Sequence, residues 1–165
     1  MIDLSIENVK FSKENFICRD SISEKLQGQL KKADILFLPK VNFRDDLPFC
    51  YPETTGEIYK FMKKELAASN ICTELAISDD EYHEIELHDW WIYLPDLYIQ
   101  NQIIFPMVIN ILSNWIYDRF IKGHASPQKP MVKFSAIVKN KDGNKKIDFE
   151  GDSESFSKLV DKVKL

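Results

Sequence analysis

Residues 35–77, ILFLPKVNFRDDLPFCYPETTGEIYKFMKKELAASNICTELAI, decide the fold. Ile35-Leu-Phe-Leu38 is a short apolar run halted by Pro39, and both its length and the proline favour a buried strand over a helix. A loop over residues 39–53 follows. Thr54 and Glu57 then have the spacing of a capping box and open a helix on which Ile58, Phe61, Met62 and Leu66 share one face. Ile71 to Ile77 reads as a further strand. Strand, helix and strand in that order predict a right-handed parallel crossover with one sheet face covered, which makes the fold class α/β.

Toward the N-terminus, Ile2 to Lys10 alternates as a strand does, with Ile2, Leu4 and Ile6 on one side. A helix is predicted from Ser21, where Ser21 and Glu24 have capping-box spacing and Ile22, Leu26 and Leu30 recur every fourth residue. Toward the C-terminus, Glu84 to Asp89 alternates again, and Trp90 to Leu94 reads as a continuation of that strand. The stretch from Trp90 to Phe120 is strongly apolar, but its longest unbroken run, Ile103 to Ile109, falls far short of the ~20 residues a bilayer requires. Asn110, Asn114, Tyr117 and Asp118 form one stripe, while Phe105, Val108, Ile109, Leu112, Trp115, Ile116 and Phe120 form a broad opposite face. That pattern predicts a core helix with Pro106 in its first turn.

Lys122 to Pro130, with a glycine and two prolines, reads as a linker. Beyond it, Met131 to Asn140 and Lys145 to Glu150 flank Asp142-Gly143, a tight-turn signal. A two-residue turn there sets Val138 opposite Ile147 and Ala136 opposite Phe149. The apolar residues then share one face, and Ser135, Lys139, Lys146, Asp148 and Glu150 share the other. Asp152 caps a final helix with Phe156, Leu159, Val160 and Val163 on one stripe. The expected architecture is a single α/β domain over residues 1–165: a sheet with a parallel β-α-β unit, flanking helices and a C-terminal antiparallel hairpin plus helix. A subunit boundary, if there is one, falls at 122–130.

The chain of 165 residues is long enough to bury roughly 70% of its unfolded surface in one core. Its 22 basic and 26 acidic residues give a net charge of -4, and the lysines are scattered, so no cationic footprint for general nucleic-acid binding is expected. Cys18, Cys50 and Cys72 have neither metal-site spacing nor an even number, which disfavours a disulfide framework. The N-terminal residues lack the basic start and apolar core of a signal peptide, so a cytoplasmic location without membrane insertion is expected.

The Trp115-Ile-Tyr-Asp-Arg119 helix end, the hairpin with Asp142-Gly143 and Lys146-Ile-Asp-Phe-Glu-Gly151, and the short closing helix together resemble a pattern in small uncharacterised bacterial proteins. Several of those are associated with anti-phage defence or intercellular conflict loci. The resemblance covers the last third of the chain, with the Leu36-Phe-Leu-Pro39 strand. It implies a context and supplies no catalytic residues.

Two places carry candidate chemistry. In open α/β sheets ligands collect beyond the carboxyl ends of strands, near helix N-termini. The loop after Leu38 brings Arg44, Asp45, Asp46, Glu53, Thr54 and Thr55 to such a crevice. Thr54, Thr55 and the helix-start N–H groups would hold a phosphate, Arg44 would add charge, and a carboxylate would bind a ribose or act as a base. Against this, no glycine-rich phosphate loop is present, and Thr54 is already explained as a cap. The second place is the aromatic centre, where Trp90 and Trp91 cannot both be buried in one direction and so offer a surface for a partner. Residues 79–89 collect six carboxylates with His83 and His88, but that histidine spacing suits neither one helical nor one strand face, and no metal site is expected. No cofactor is expected either. These features favour a non-enzymatic interaction or regulatory component of a bacterial cytoplasmic system, defence-related by the resemblance, bound to a protein partner or to a second copy of itself. The alternative is a small nucleotide-acting or nucleotide-sensing protein using residues 39–55.

Overall fold

A computed structural model describes residues 2–19, 22–44, 47–78, 81–86, 91–123 and 130–165, with only the backbone course described for 42–44 and 47–48. The decisive stretch folds as a crossover. Ile35–Leu38 forms β2, Thr55–Leu66 forms α3, and Thr73–Leu75 forms β5, which lies parallel to β2. Between β2 and α3 the chain makes a hairpin of β3 (Lys40–Arg44) and β4 (Leu47–Pro52), and Glu84–Ile85 (β6) adds in parallel to β4 to complete a small three-stranded sheet.

The main sheet is mixed. Its remaining strands are β1 (Asp3–Val9), β7 (Trp91–Tyr93), β8 (Asp96–Ile99), β9 (Met131–Asn140) and β10 (Gly143–Asp152). The order is β1-β10-β9-β8-β2-β5, with β7 also pairing with β9. Strands from both sides of residues 124–129 thus belong to one sheet.

Side chains of a strand alternate between faces, and β2 shows the consequence for both layers. Ile35 and Phe37 enter the larger core, where Ile58 and Met62 of α3 meet Val108, Leu112 and Trp115 of α4 (Phe105–Ile116). Leu36 and Leu38 enter a second core on the opposite face, with Ile17 of α1 (Lys13–Ile17) and Leu30 of α2 (Glu24–Lys31). Being buried on both sides is why β2 is apolar throughout. On α4 and the turn that follows it the apolar stripe is buried, Phe120 only partly, while Asn110, Asn114, Tyr117 and Asp118 are exposed, as the periodicity predicted. Each fully buried aliphatic side chain there contributes roughly 1.5–3 kcal/mol of transfer free energy. Among the described residues, no helix is long and apolar enough to cross a membrane. Pro106 sits in the first turn of α4, where its missing N–H costs nothing.

The hairpin differs from expectation in register but not in face. Asn140 pairs with Gly143, so Lys141 and Asp142 make the turn, Ala136 opposes Ile147, and Phe134 opposes Phe149. Among the residues of the turn and its closing pair, positive φ falls on Gly143, at 119°, so glycine closes the turn and does not form its tip. The resulting shift of two positions returns every side chain to the face first assigned to it, and Ile147 and Phe149 are buried. Asp152 accepts from the Ser155 N–H at 2.7 Å and caps α5 (Ser153–Ser157); Leu159–Lys162 (α6) follows.

The expected loop over residues 39–53 holds the β3–β4 hairpin, and the single final helix is the pair α5 and α6. Three further local expectations are corrected. The cap of α2 is Ser23, whose hydroxyl accepts from the Leu26 N–H at 3.2 Å; Ser21 lies outside the described residues. Residues 84–94 are not one strand: β6 joins the small sheet and β7 the main one, and residues 87–90 lie outside the described residues. Alternation reports that a strand has two faces, not which sheet it enters. The third correction is the start of α3, which forms part of the candidate site.

Candidate functional site

Thr54 does not cap α3. It holds a left-handed conformation at φ 74° and makes no side-chain cap bond. The cap comes instead from β6: the Glu84 carboxylate accepts from the Thr54 N–H at 3.2 Å through Oε1 and from the Gly56 N–H at 3.0 Å through Oε2. A negative charge at that place complements both the orphan amides and the helix dipole. Tyr82 donates its hydroxyl to the same carboxylate and stacks on Tyr51, the ring centroids 5.2 Å apart. Gly56 is what lets the carboxylate approach, since a Cβ there would lie 3.1 Å from Oε2. Thr55 is buried and donates to the Pro52 carbonyl at 2.6 Å. Glu57, the supposed partner in the capping box, turns toward Arg119 at 3.7 Å.

Beside this helix start lies a cleft of about 340 Å³, at the lower end of the ~300–1,000 Å³ typical of ligand pockets. One wall is Pro52, Glu53 and Thr54, entering α3. Trp91, Ile92 and Tyr93 of β7 form another, and Glu86, Phe120, Arg119 and Pro130 complete it. Arg119 and Phe120 arrive on a wide turn, Tyr117–Ile121, that extends α4; the Lys122 N–H donates to the Tyr117 carbonyl at 2.8 Å. Phe120 packs edge-on against Trp115, 5.6 Å away, which ties the cleft wall to the core. The wall formed by β7 is set by an irregularity in its pairing. Between Tyr93 opposite Lys133 and Leu97 opposite Ala136 the β7–β8 segment carries one residue more than β9, a bulge at Leu94-Pro95.

Lys133 links this cleft to the open face of the sheet. Its ammonium lies 5.0 Å from the Trp91 ring centroid and 5.3 Å from that of Tyr93, and 3.7 Å from the Glu150 carboxylate. Beyond it a second hollow, of about 320 Å³, is lined by Lys40, Tyr93, Asp96, Lys133, Ser135 and Asp148 among others. Burial raises the Asp96 carboxyl above the usual carboxylate range; Lys40 and Lys146 oppose the rise, and Asp148 adds to it.

Glu53, Thr54 and Trp91 therefore meet in one cleft, although the sequence assigned the first two to a ligand and the third to a partner. Thr55 points inward and is unavailable. Arg44 ends β3, and its side chain is not described; Asp45, Asp46 and Trp90 lie outside the described residues. Among the described residues no group of three histidine, cysteine or acidic side chains is placed to hold a metal ion. Arg119, Phe120, Glu86 and Lys133 were missed as site residues because each comes from an element distant in sequence, and Arg119 registers in the sequence as the end of an apolar helix and not as a partner of Glu53 or Thr54. No family model, no curated protein and no solved structure matches this chain.

Proposed function

We propose that the chain is a non-enzymatic interaction module that receives a segment of a partner protein in the cleft between the start of α3 and β7. The observation that carries this reading is the occupancy of the α3 N-terminus. Two of the N–H groups that a nucleotide phosphate would use there, those of Thr54 and Gly56, already bind Glu84, whereas Trp91, Tyr93 and Phe120 line an open cleft next to them. Aromatic side chains in such settings supply much of the energy of protein interfaces. The wider context, a bacterial cytoplasmic system serving defence, rests on the C-terminal sequence resemblance.

The test is capture of the product of an adjacent gene by the purified chain. Trp91→Ala should weaken that complex about 30-fold, the equivalent of the ~2 kcal/mol of an interface anchor. No nucleotide should raise the wild-type melting temperature. A saturable nucleotide shift, abolished by Arg44→Ala and by Asp45→Ala, would overturn the proposal in favour of a nucleotide-sensing protein, because a ligand that binds only the folded state must stabilise it.

A further inference from the structure

We infer that the segment received by this cleft carries a lysine or arginine next to an apolar side chain. This rests on the interaction reading and adds the chemistry of the partner. Among the described residues, the charges lining the cleft are Glu53, Glu86 and Arg119. Arg119 already faces Glu57 at 3.7 Å, while Glu53 and Glu86 are exposed and have no ion-pair partner among the described residues. Two carboxylates on the rim without an ion-pair partner among the described residues attract a cation and repel an acidic segment.

The aromatic wall supplies contact area and not a second cation site. The Lys133 ammonium lies 5.0 and 5.3 Å from the Trp91 and Tyr93 ring centroids and is itself 3.7 Å from Glu150. The incoming cation is therefore drawn by Glu53 and Glu86, and the rings pack against its neighbouring apolar side chain. Ile92, Phe120 and Pro52 supply the apolar half of the cleft. A volume of about 340 Å³ accepts a side chain or two from an extended segment and not a folded element.

The test uses the full chain, labelled with ¹⁵N, and two capped tetrapeptides, Ac-Ala-Lys-Leu-Ala-NH₂ and Ac-Ala-Glu-Leu-Ala-NH₂. The readout is the indole Nε1–H signal of Trp91, identified by its loss in Trp91→Phe. The lysine peptide should shift this signal saturably and the glutamate peptide should not. The double variant Glu53→Gln, Glu86→Gln should bind the lysine peptide about tenfold more weakly, since each exposed charge contributes modestly. The inference is overturned if the lysine peptide gives no saturable shift, if the glutamate peptide binds as tightly, or if the double variant binds as well as wild type. Tight binding of the glutamate peptide would remove the charge inference and leave the interaction reading standing. An adjacent-gene complex indifferent to Trp91→Ala would remove the interaction reading itself.

Discussion

Replacing Thr54 separates two accounts of the start of α3 by the sign of the effect. If Thr54 were the cap, Thr54→Ala would cost about 1 kcal/mol and Thr54→Gly a few tenths. In the structure its hydroxyl caps nothing and its backbone sits at φ 74°, a conformation that costs an L-residue roughly 1–2 kcal/mol. Thr54→Gly removes that strain but adds freedom to the unfolded chain, worth about 0.5–1 kcal/mol in the other direction. The net gain is about 0.5–1 kcal/mol. For a chain of this size 1 kcal/mol moves the melting temperature by roughly 2–4 °C, so a rise of about 1–4 °C is expected. Glu84→Ala should do the opposite. It deletes both bonds to the helix amides, and the loss of a charged cap costs about 1–2 kcal/mol, a fall of roughly 2–8 °C. Thermal unfolding followed by circular dichroism reads all three variants. A lower melting temperature for Thr54→Gly, together with an unchanged one for Glu84→Ala, would refute the assignment of the cap.

Phe149→Asp should cost more than about 3 kcal/mol, because the ring is 1% exposed and packs 5.6 Å from Phe156. Asp148→Asn, on the opposite face with only a half-exposed partner in Lys146, should cost less than about 0.5 kcal/mol; equal urea midpoints for the two would place the wrong face inward. Asp96 predicts a pH dependence. Its folded pKa is raised by burial above the ordinary 3.8, so the folded state holds the proton more tightly than the unfolded one. Stability from this group is then full at low pH and falls as pH rises from 3.8 through the raised value. Asp96→Asn should match wild type most closely near pH 4 and exceed it at pH 7, and stability curves that run parallel over that range would show that Asp96 is not the group responsible.

How legible each part was follows from how local its cause is. The β2-α3-β5 crossover could be read because an apolar run ending at Pro39 and the spacing of Ile58, Met62 and Leu66 are local signals whose cores turned out to be adjacent. The hairpin's faces could be read because alternation survives a shift of two, whereas its register could not, since Asp142-Gly143 fits the turn in more than one position. The α3 cap was misread for a different reason. Thr54 and Glu57 have the right spacing, but the competing carboxylate, Glu84, comes from β6, about 30 residues further along the chain, and binds the Thr54 and Gly56 amides. The cleft was half legible: Glu53, Thr54 and Trp91 were singled out separately, and only the folding of α4 beside α3 brings Arg119 to them.

The position of β1 has a consequence for how the chain is made. Among the described residues it pairs only with β10, Asp3 opposite Glu150 and Val9 opposite Asn144. The ribosome therefore releases β1 long before its partner exists, and Leu4, which packs against the main core, must wait unsheltered. β8 is covered on one side only, since β2 is made before it but its other neighbour, β9, is late. The β2, β5 and β8 strands have one another before the hairpin is made, whereas closing β1 onto β10 spans nearly the whole chain, a long sequence separation of the kind that slows folding. A nascent chain arrested before residue 131 would expose the unpaired edge of β8, with Leu97 and Ile99 on it, and would be a natural client for chaperones that shield such edges.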